Sequence, residues 1–187
     1  MKKIILEAEK FFNDNIPNNR IKSYYLNHIQ SVRHYGKLLA DEYKADHDII
    51  EIAAILHDMG AEQGKIHAQA SAEIAKKFLM KFNIDNKIVS KIISAIANHS
   101  SEKPSVPYKK DVGLEGNILR DADVLSFFDD GYMGYYKQKT EKMTNSEAKQ
   151  VTLDKMVKMK QKITTSLGIK LANNKHKVAV NDFESIN

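Results

Sequence analysis

The chain has 187 residues and a mass of 21.3 kDa, 42% of them hydrophobic and 28% charged, enough to bury a core without covalent staples. It has no cysteine, which excludes a disulfide framework, a thiolate zinc site, a cysteine-held iron–sulfur cluster and a cysteine nucleophile, so any metal must be held by histidine and carboxylate. The 29 Lys and Arg against 24 Asp and Glu give +5, and with 18 basic and 19 acidic residues in 1–136 the whole excess lies from Lys137 onward; so modest a surplus does not by itself announce a nucleic-acid binder.

No apolar run approaches the roughly 20 residues of a membrane span. The start, Met1-Lys-Lys-Ile-Ile-Leu-Glu, breaks into charge too soon for a signal peptide, so a soluble, cytoplasmic protein is expected. Three prolines, eight glycines and almost no strand-like alternation favour an all-α chain.

In chain order, a short helix is expected over about Lys2 to Asn13, with Ile5, Leu6, Ala8 and Phe12 near one stripe, followed by an Asn-rich loop. A longer helix over about Arg20 to Tyr43 places Ile21, Tyr25, His28, Ile29, Val32, Gly36 and Leu39 on one buried face, so His28 points inward. Asp48 to Leu56 is apolar all round, as a central buried helix reads, and runs directly into His57-Asp58. A polar loop, Met59 to Ile66, precedes a helix of about His67 to Phe82, and Asp85 caps another, about Asn86 to His99, with His99 continuing its apolar stripe. After a loop marked by Pro104 and Pro107, Leu114 to Phe128 carries Asp121-Ala-Asp123 in an otherwise apolar run, and two Lys-rich outer helices follow, about Asn145 to Leu167 and Gly168 to Glu184. His34 reads as solvated, His47 as part of a charged turn and His176 as part of the basic tail.

The informative feature is that ionisable side chains recur where periodicity demands burial: His28, His57, Asp58, His99 and Asp123. A single inward histidine or aspartate is ordinarily a hydrogen-bonded core residue. Five on four helices call for a common compensation, because an unpaired buried charge is expensive, and a cation held by imidazole and carboxylate supplies it.

The order His28, then His57-Asp58, then Asp123, with Leu56-His57-Asp58-Met59-Gly60 at its centre and Ala53-Ala-Ile-Leu-His-Asp and Arg120-Asp-Ala-Asp-Val-Leu in place, resembles the HD-domain superfamily of metal-dependent phosphohydrolases. The resemblance covers about Asn27 to Phe128, and the end of the chain is similar to the terminal helix of several small bacterial members. It implies an all-α, single-domain helical bundle over 1–187, with a core of about 20–128, outer helices of about 145–187 and the metal site between the central helices. It also implies His28, His57, Asp58 and Asp123 as ligands of a first metal. Asp121 is the alternative for the last of these, because two aspartates two apart project about 200° apart on a helix; Asp121 would otherwise orient a ligand or contact bound water. His67 and His99 match positions that hold a second metal in binuclear members, with Asp58 bridging. One or two divalent ions per chain (Mn, Fe, Mg, Ni, Co or Zn) would activate a water for attack on phosphorus.

Glu62 is the nearest sequence candidate for a proton donor to the leaving group, and Lys65 and Arg33 for contacts to substrate phosphates. The expected partner is a small phosphorylated substrate, with nucleotides among the candidates and neither nucleic acid nor membrane expected. The segments expected to line its pocket are Gly60 to Lys65, Ser100 to Lys110 and Phe127 to Tyr136; the aromatics of the last, Phe127, Phe128, Tyr132, Tyr135 and Tyr136, would either stack on a base or pack in the core. The alternative from another class is a helical polyanion-binding module, with a structural metal site, using the Lys-rich C-terminal third, where 11 Lys between Lys137 and Lys177 face three acids.

Overall fold

The computed structural model describes residues 1–16, 21–100 and 113–185, apart from the side chains at 21–25, 65 and 130, and every regular element among them is helical. The helices are α1 (Lys2–Asn15), α2 (Ile21–Tyr43), α3 (His47–Leu56), α4 (His67–Leu79), α5 (Asn86–Asn98), α6 (Leu114–Ser126), α7 (Tyr132–Thr140), α8 (Asn145–Lys160) and α9 (Ser166–Glu184). A 3-10 turn, Ala61–Ile66, precedes α4, and a π-helical turn, Phe127–Gly131, joins α6 to α7. The fold is all-α, as the composition predicts.

The hub is α3. Ile49, Ile50, Ile52, Ala53, Ala54, Ile55 and Leu56 are each at most 2% exposed, because α1, α2, α5 and α6 pack around it. Burial of each larger aliphatic side chain contributes roughly 1.5–3 kcal/mol relative to exposure. The helix starts where Asp46 Oδ1 accepts the backbone N–H groups of Asp48 (3.0 Å) and Ile49 (3.2 Å). Its neighbour α2 also lies along α6, while α4 pairs with α5. Of the outer helices, α9 packs on α6, with its Ala172, Ala179 and Phe183 buried, and α8 packs on both α7 and α9.

Several boundaries differ from the sequence expectation. His47 opens α3 rather than lying in a turn, and pairs with Asp41 at 3.1 Å. Helix α4 stops at Leu79, where Lys81 and Phe82 N–H groups turn back to Phe78 and Leu79 carbonyls. The break between α8 and α9 falls at 161–165, because Thr165 Oγ1 caps α9 by accepting the Gly168 N–H at 3.1 Å. The π turn and α7 have no apolar stripe to announce them; long-range contacts hold them instead. Asp129 in the π turn accepts hydrogen bonds from Ser31 and from Tyr35 (3.0 Å) of α2, and pairs with Lys175 of α9.

Candidate metal centre

Each imidazole of the expected site has its Nδ1 bound within the protein. His57 Nδ1 donates to the Ala54 carbonyl at 2.8 Å and His99 Nδ1 to the Ile96 carbonyl at 2.7 Å. Both histidines cap their helices, α3 and α5, so each takes a carbonyl from the last turn, where intrahelical donors run out. His67 Nδ1 donates to the Gly64 carbonyl at 2.8 Å; Gly64 stands at φ 57°, ψ −122°, a conformation open to glycine. His28 Nδ1 lies 3.0 Å from Ser126 Oγ, whose own proton goes to the Asp123 carbonyl at 2.7 Å, so the hydroxyl accepts from His28.

With Nδ1–H used in this way, the Nε2 lone pairs of the neutral rings face the interior of the site. They converge on Asp58, one oxygen for each pair. Asp58 Oδ2 is 3.5 Å from His28 Nε2 and 3.6 Å from His57 Nε2, whereas Oδ1 is 3.6 Å from His99 Nε2 and 3.9 Å from His67 Nε2. Asp123 Oδ1 joins the first pair, 3.5 Å from His28 Nε2 and 3.9 Å from His57 Nε2. His57 and His99 are almost wholly buried, and the other members are half-buried.

This donor set fits a cation. The Nε2 atoms of His28 and His57 stand only 3.2 Å apart, two acceptors beside two carboxylates, an arrangement that needs a proton or a metal ion between its members. Two groups have ligand atoms all within 4.8 Å of one another: His28, His57 and Asp58, and Asp58, His67 and His99. In the metal-free protein burial dominates His57 and lowers its pKa to about 4. Burial is also the largest influence on His28 and His99, but the hydrogen bonds and charges of Asp58 and Asp123 outweigh it and raise both. Burial would raise Asp58, yet His57, His28 and His99 hold it well below the usual carboxylate range.

The turn after Asp58 is held tightly. Gly60 N–H donates to Ser71 Oγ of α4 at 2.9 Å, and a Cβ on Gly60 would come within 2.7 Å of both Ala70 Cβ and the Ser71 nitrogen, so a side chain there would push the turn off α4. Glu62, solvent-facing on the 3-10 turn, lines a cavity of about 450 Å³ that reaches Asp58.

Other expected residues are placed differently. Asp121 neither orients a ligand nor faces the cluster: its carboxylate accepts the backbone N–H groups of Thr164 (3.0 Å) and Thr165 (2.8 Å) and both threonine hydroxyls (3.3 and 2.6 Å). The two-residue step along α6 turns it towards the α8–α9 connection while Asp123 faces the histidines. Arg33 pairs with Glu9 and Glu51 at the junction of α1, α2 and α3. The Lys65 side chain and most of the expected pocket segment Ser100 to Lys110 lie outside the described residues. The aromatic segment is not a stacking platform: Phe128 and Tyr132 are buried, Tyr132 and Tyr136 meet the Phe183 ring, and Lys139 and Lys155 cover Tyr135. His176, read as part of the basic tail, is half-buried with its ring edge-on to Phe128.

Sequence reasoning missed Ser126, although its position three residues after Asp123 puts both on one face of α6. It also missed the role of Arg120, which is 1% exposed and donates from NH2 to the Asn98 carbonyl at 3.1 Å, tying α6 to the end of α5 beside His99.

An all-α fold whose central helix ends in a His-Asp pair, with histidines and an aspartate from neighbouring helices gathered around it, defines a class of histidine–aspartate metal-site proteins. The HD domain profile matches residues 25–127, more than half of the chain, and the chain belongs to that family. Solved structures share the fold. YpgQ from Bacillus subtilis aligns over 98% of this chain and 94% of its own at 18% identity and a TM-score of 0.75. An HD-superfamily hydrolase from Bacillus thuringiensis aligns over the same shares at 18% identity and 0.73. A predicted HD superfamily hydrolase from an uncultured Thermotogales bacterium aligns over 95% of this chain and 88% of its own at 21% and 0.65. A curated tRNA (cytidine(56)-2'-O)-methyltransferase from Thermoplasma volcanium is 35% identical over 69 residues, 36% of this chain, and the match spans 19% of that protein.

Proposed function

We propose that this protein is a metal-dependent phosphohydrolase that cleaves a phosphomonoester, nucleotide or dinucleotide phosphate bond in a small substrate. The observation that carries the reading is the division of Asp58, one oxygen towards His28 and His57 and the other towards His67 and His99. His28, His57, Asp58 and Asp123 would hold one divalent ion, and His67 and His99 a second, with Asp58 shared. Such ions, when bound, polarise phosphoryl oxygens and make water a nucleophile near neutral pH.

The chain's own residues supply the rest. The Ala54, Gly64 and Ile96 carbonyls and Ser126 fix four imidazoles in one tautomer before any ligand arrives. Burial of His57 and His99 keeps bulk water from one side of the site. Glu62, which lines the cavity shared with Asp58, would return a proton to the leaving oxygen as the P–O bond breaks.

The test is release of product from p-nitrophenyl phosphate, bis(p-nitrophenyl) phosphate and a nucleotide panel in the presence of Mn or Co. Asp58→Ala is expected to lose at least about a hundredfold in activity, since even partners that only orient ligands are worth about 10–100-fold. Equal activity in wild type and Asp58→Ala would refute the proposal.

A further inference from the structure

The cavity that reaches Asp58 has an unusual wall. Its near side is the 3-10 turn, but its far side is the C-terminal end of α1, through Phe12, Asp14, Asn15 and Ile16, a helix that precedes the family-matched segment 25–127. At about 450 Å³ it is within the range of small-ligand pockets. Phe12, Ile16, Met59 and Ile74 give it apolar surface, and none of the described residues lining it is Lys or Arg. The polar groups on the α1 side and the turn are acceptor-rich: the carboxylates of Asp14 and Glu62 and the amides of Asn15 and Gln63, with Asn15 Nδ2 already given to the Phe11 carbonyl at 2.8 Å.

The carboxylates and apolar side chains on this wall suit a part of a substrate that is flat-faced and donor-bearing. Asp14 is also a poor choice for helix stability. It sits in the last turn of α1, at the negative end of the helix dipole, with no basic residue in that turn to offset it. Among the described residues no ion pair uses it.

We propose that this cavity receives the base of a nucleotide substrate, with the ring against Phe12, Ile16, Met59 and Ile74 and an exocyclic amino group donating to Asp14. The inference rests on the phosphohydrolase reading for its placement of the phosphate, and deepens it by naming the α1 end as the selector of amino-bearing bases. Cytosine and adenine present an amine where uracil presents a carbonyl, and the exposed Asp14 carboxylate, which can only accept, pairs with the first and not with the second.

The experiment titrates the full-length protein with cytidine and uridine, which carry no phosphate, and measures p-nitrophenyl phosphate hydrolysis on the same samples. Cytidine is expected to bind at least about fivefold more tightly than uridine. Asp14→Ala, a solvent-facing substitution, is expected to weaken cytidine about tenfold, the worth of one hydrogen bond to a charged acceptor. It should leave uridine binding and p-nitrophenyl phosphate turnover unchanged. Turnover without any preference for cytidine, or a preference that survives Asp14→Ala, overturns the base pocket while leaving the hydrolase reading intact. Cytidine preference lost in Asp14→Ala, in a protein without turnover, supports the pocket and overturns the hydrolase reading instead.

Discussion

At the scale of single residues, the site depends on where each imidazole keeps its proton. His28 differs from the other three in using a side chain, Ser126, instead of a carbonyl to hold Nδ1. Removing that hydroxyl frees the ring to rotate or change tautomer. Ser126→Ala is therefore expected to weaken Mn or Zn binding about 10–100-fold with the fold intact, read by calorimetric titration and circular dichroism, and Ser126→Thr should restore it. A second consequence concerns protons. In the metal-free protein His28 and His99 titrate above the ordinary imidazole value, because Asp58 and Asp123 outweigh the opposing effect of burial. A cation must displace whatever protons those rings carry, so affinity falls as pH is lowered through their titration, and binding in that range releases protons. Titrations over a pH series in two buffers of different ionisation enthalpy should differ increasingly as pH is lowered, by the heat of that release; identical heats in both at every pH would argue against the coupling. The ligand-type residues were legible in the sequence because ionisable groups stood on apolar stripes. Ser126 and Arg120 were not singled out, because a serine or arginine near a motif carries no such contradiction until its partner is known.

At the scale of elements, Asp121 shows how one helix serves two purposes. Its carboxylate, raised in pKa by burial against the opposing effect of its four hydrogen-bond donors from Thr164 and Thr165, locks the α8–α9 turn onto α6. Asp121→Ala leaves two backbone N–H groups without that acceptor and is expected to cost about 3 kcal/mol, measured by urea denaturation, with metal stoichiometry unchanged. Loss of metal with stability unchanged would return Asp121 to the site. The same helix explains what could be read in advance. α3 was visible because no surface helix is apolar on every side, and Asp85 was recognisable as a cap. α7 and the π turn were not, because Asp129, Tyr132 and Tyr136 are fixed by Ser31, Tyr35, Lys175 and Phe183, partners remote in the chain.

At the scale of the whole molecule, the fold is a device for bringing His57 and Asp58, at the end of the most buried helix, against side chains from α2, α4, α5 and α6. None of these helices alone holds enough ligands, so the site exists only when they pack together, and metal binding must stabilise the packed state. A cation at a hundred times its dissociation constant adds about 2.7 kcal/mol, visible as a rise in melting temperature that a chelator reverses. The most direct test is metal content by elemental analysis of protein purified without chelators, for wild type and for His67→Ala and His99→Ala. About two ions per chain, falling to about one in both variants, is the expected result; one ion per chain, unchanged by either substitution, would contradict a site in which Asp58 serves two metals.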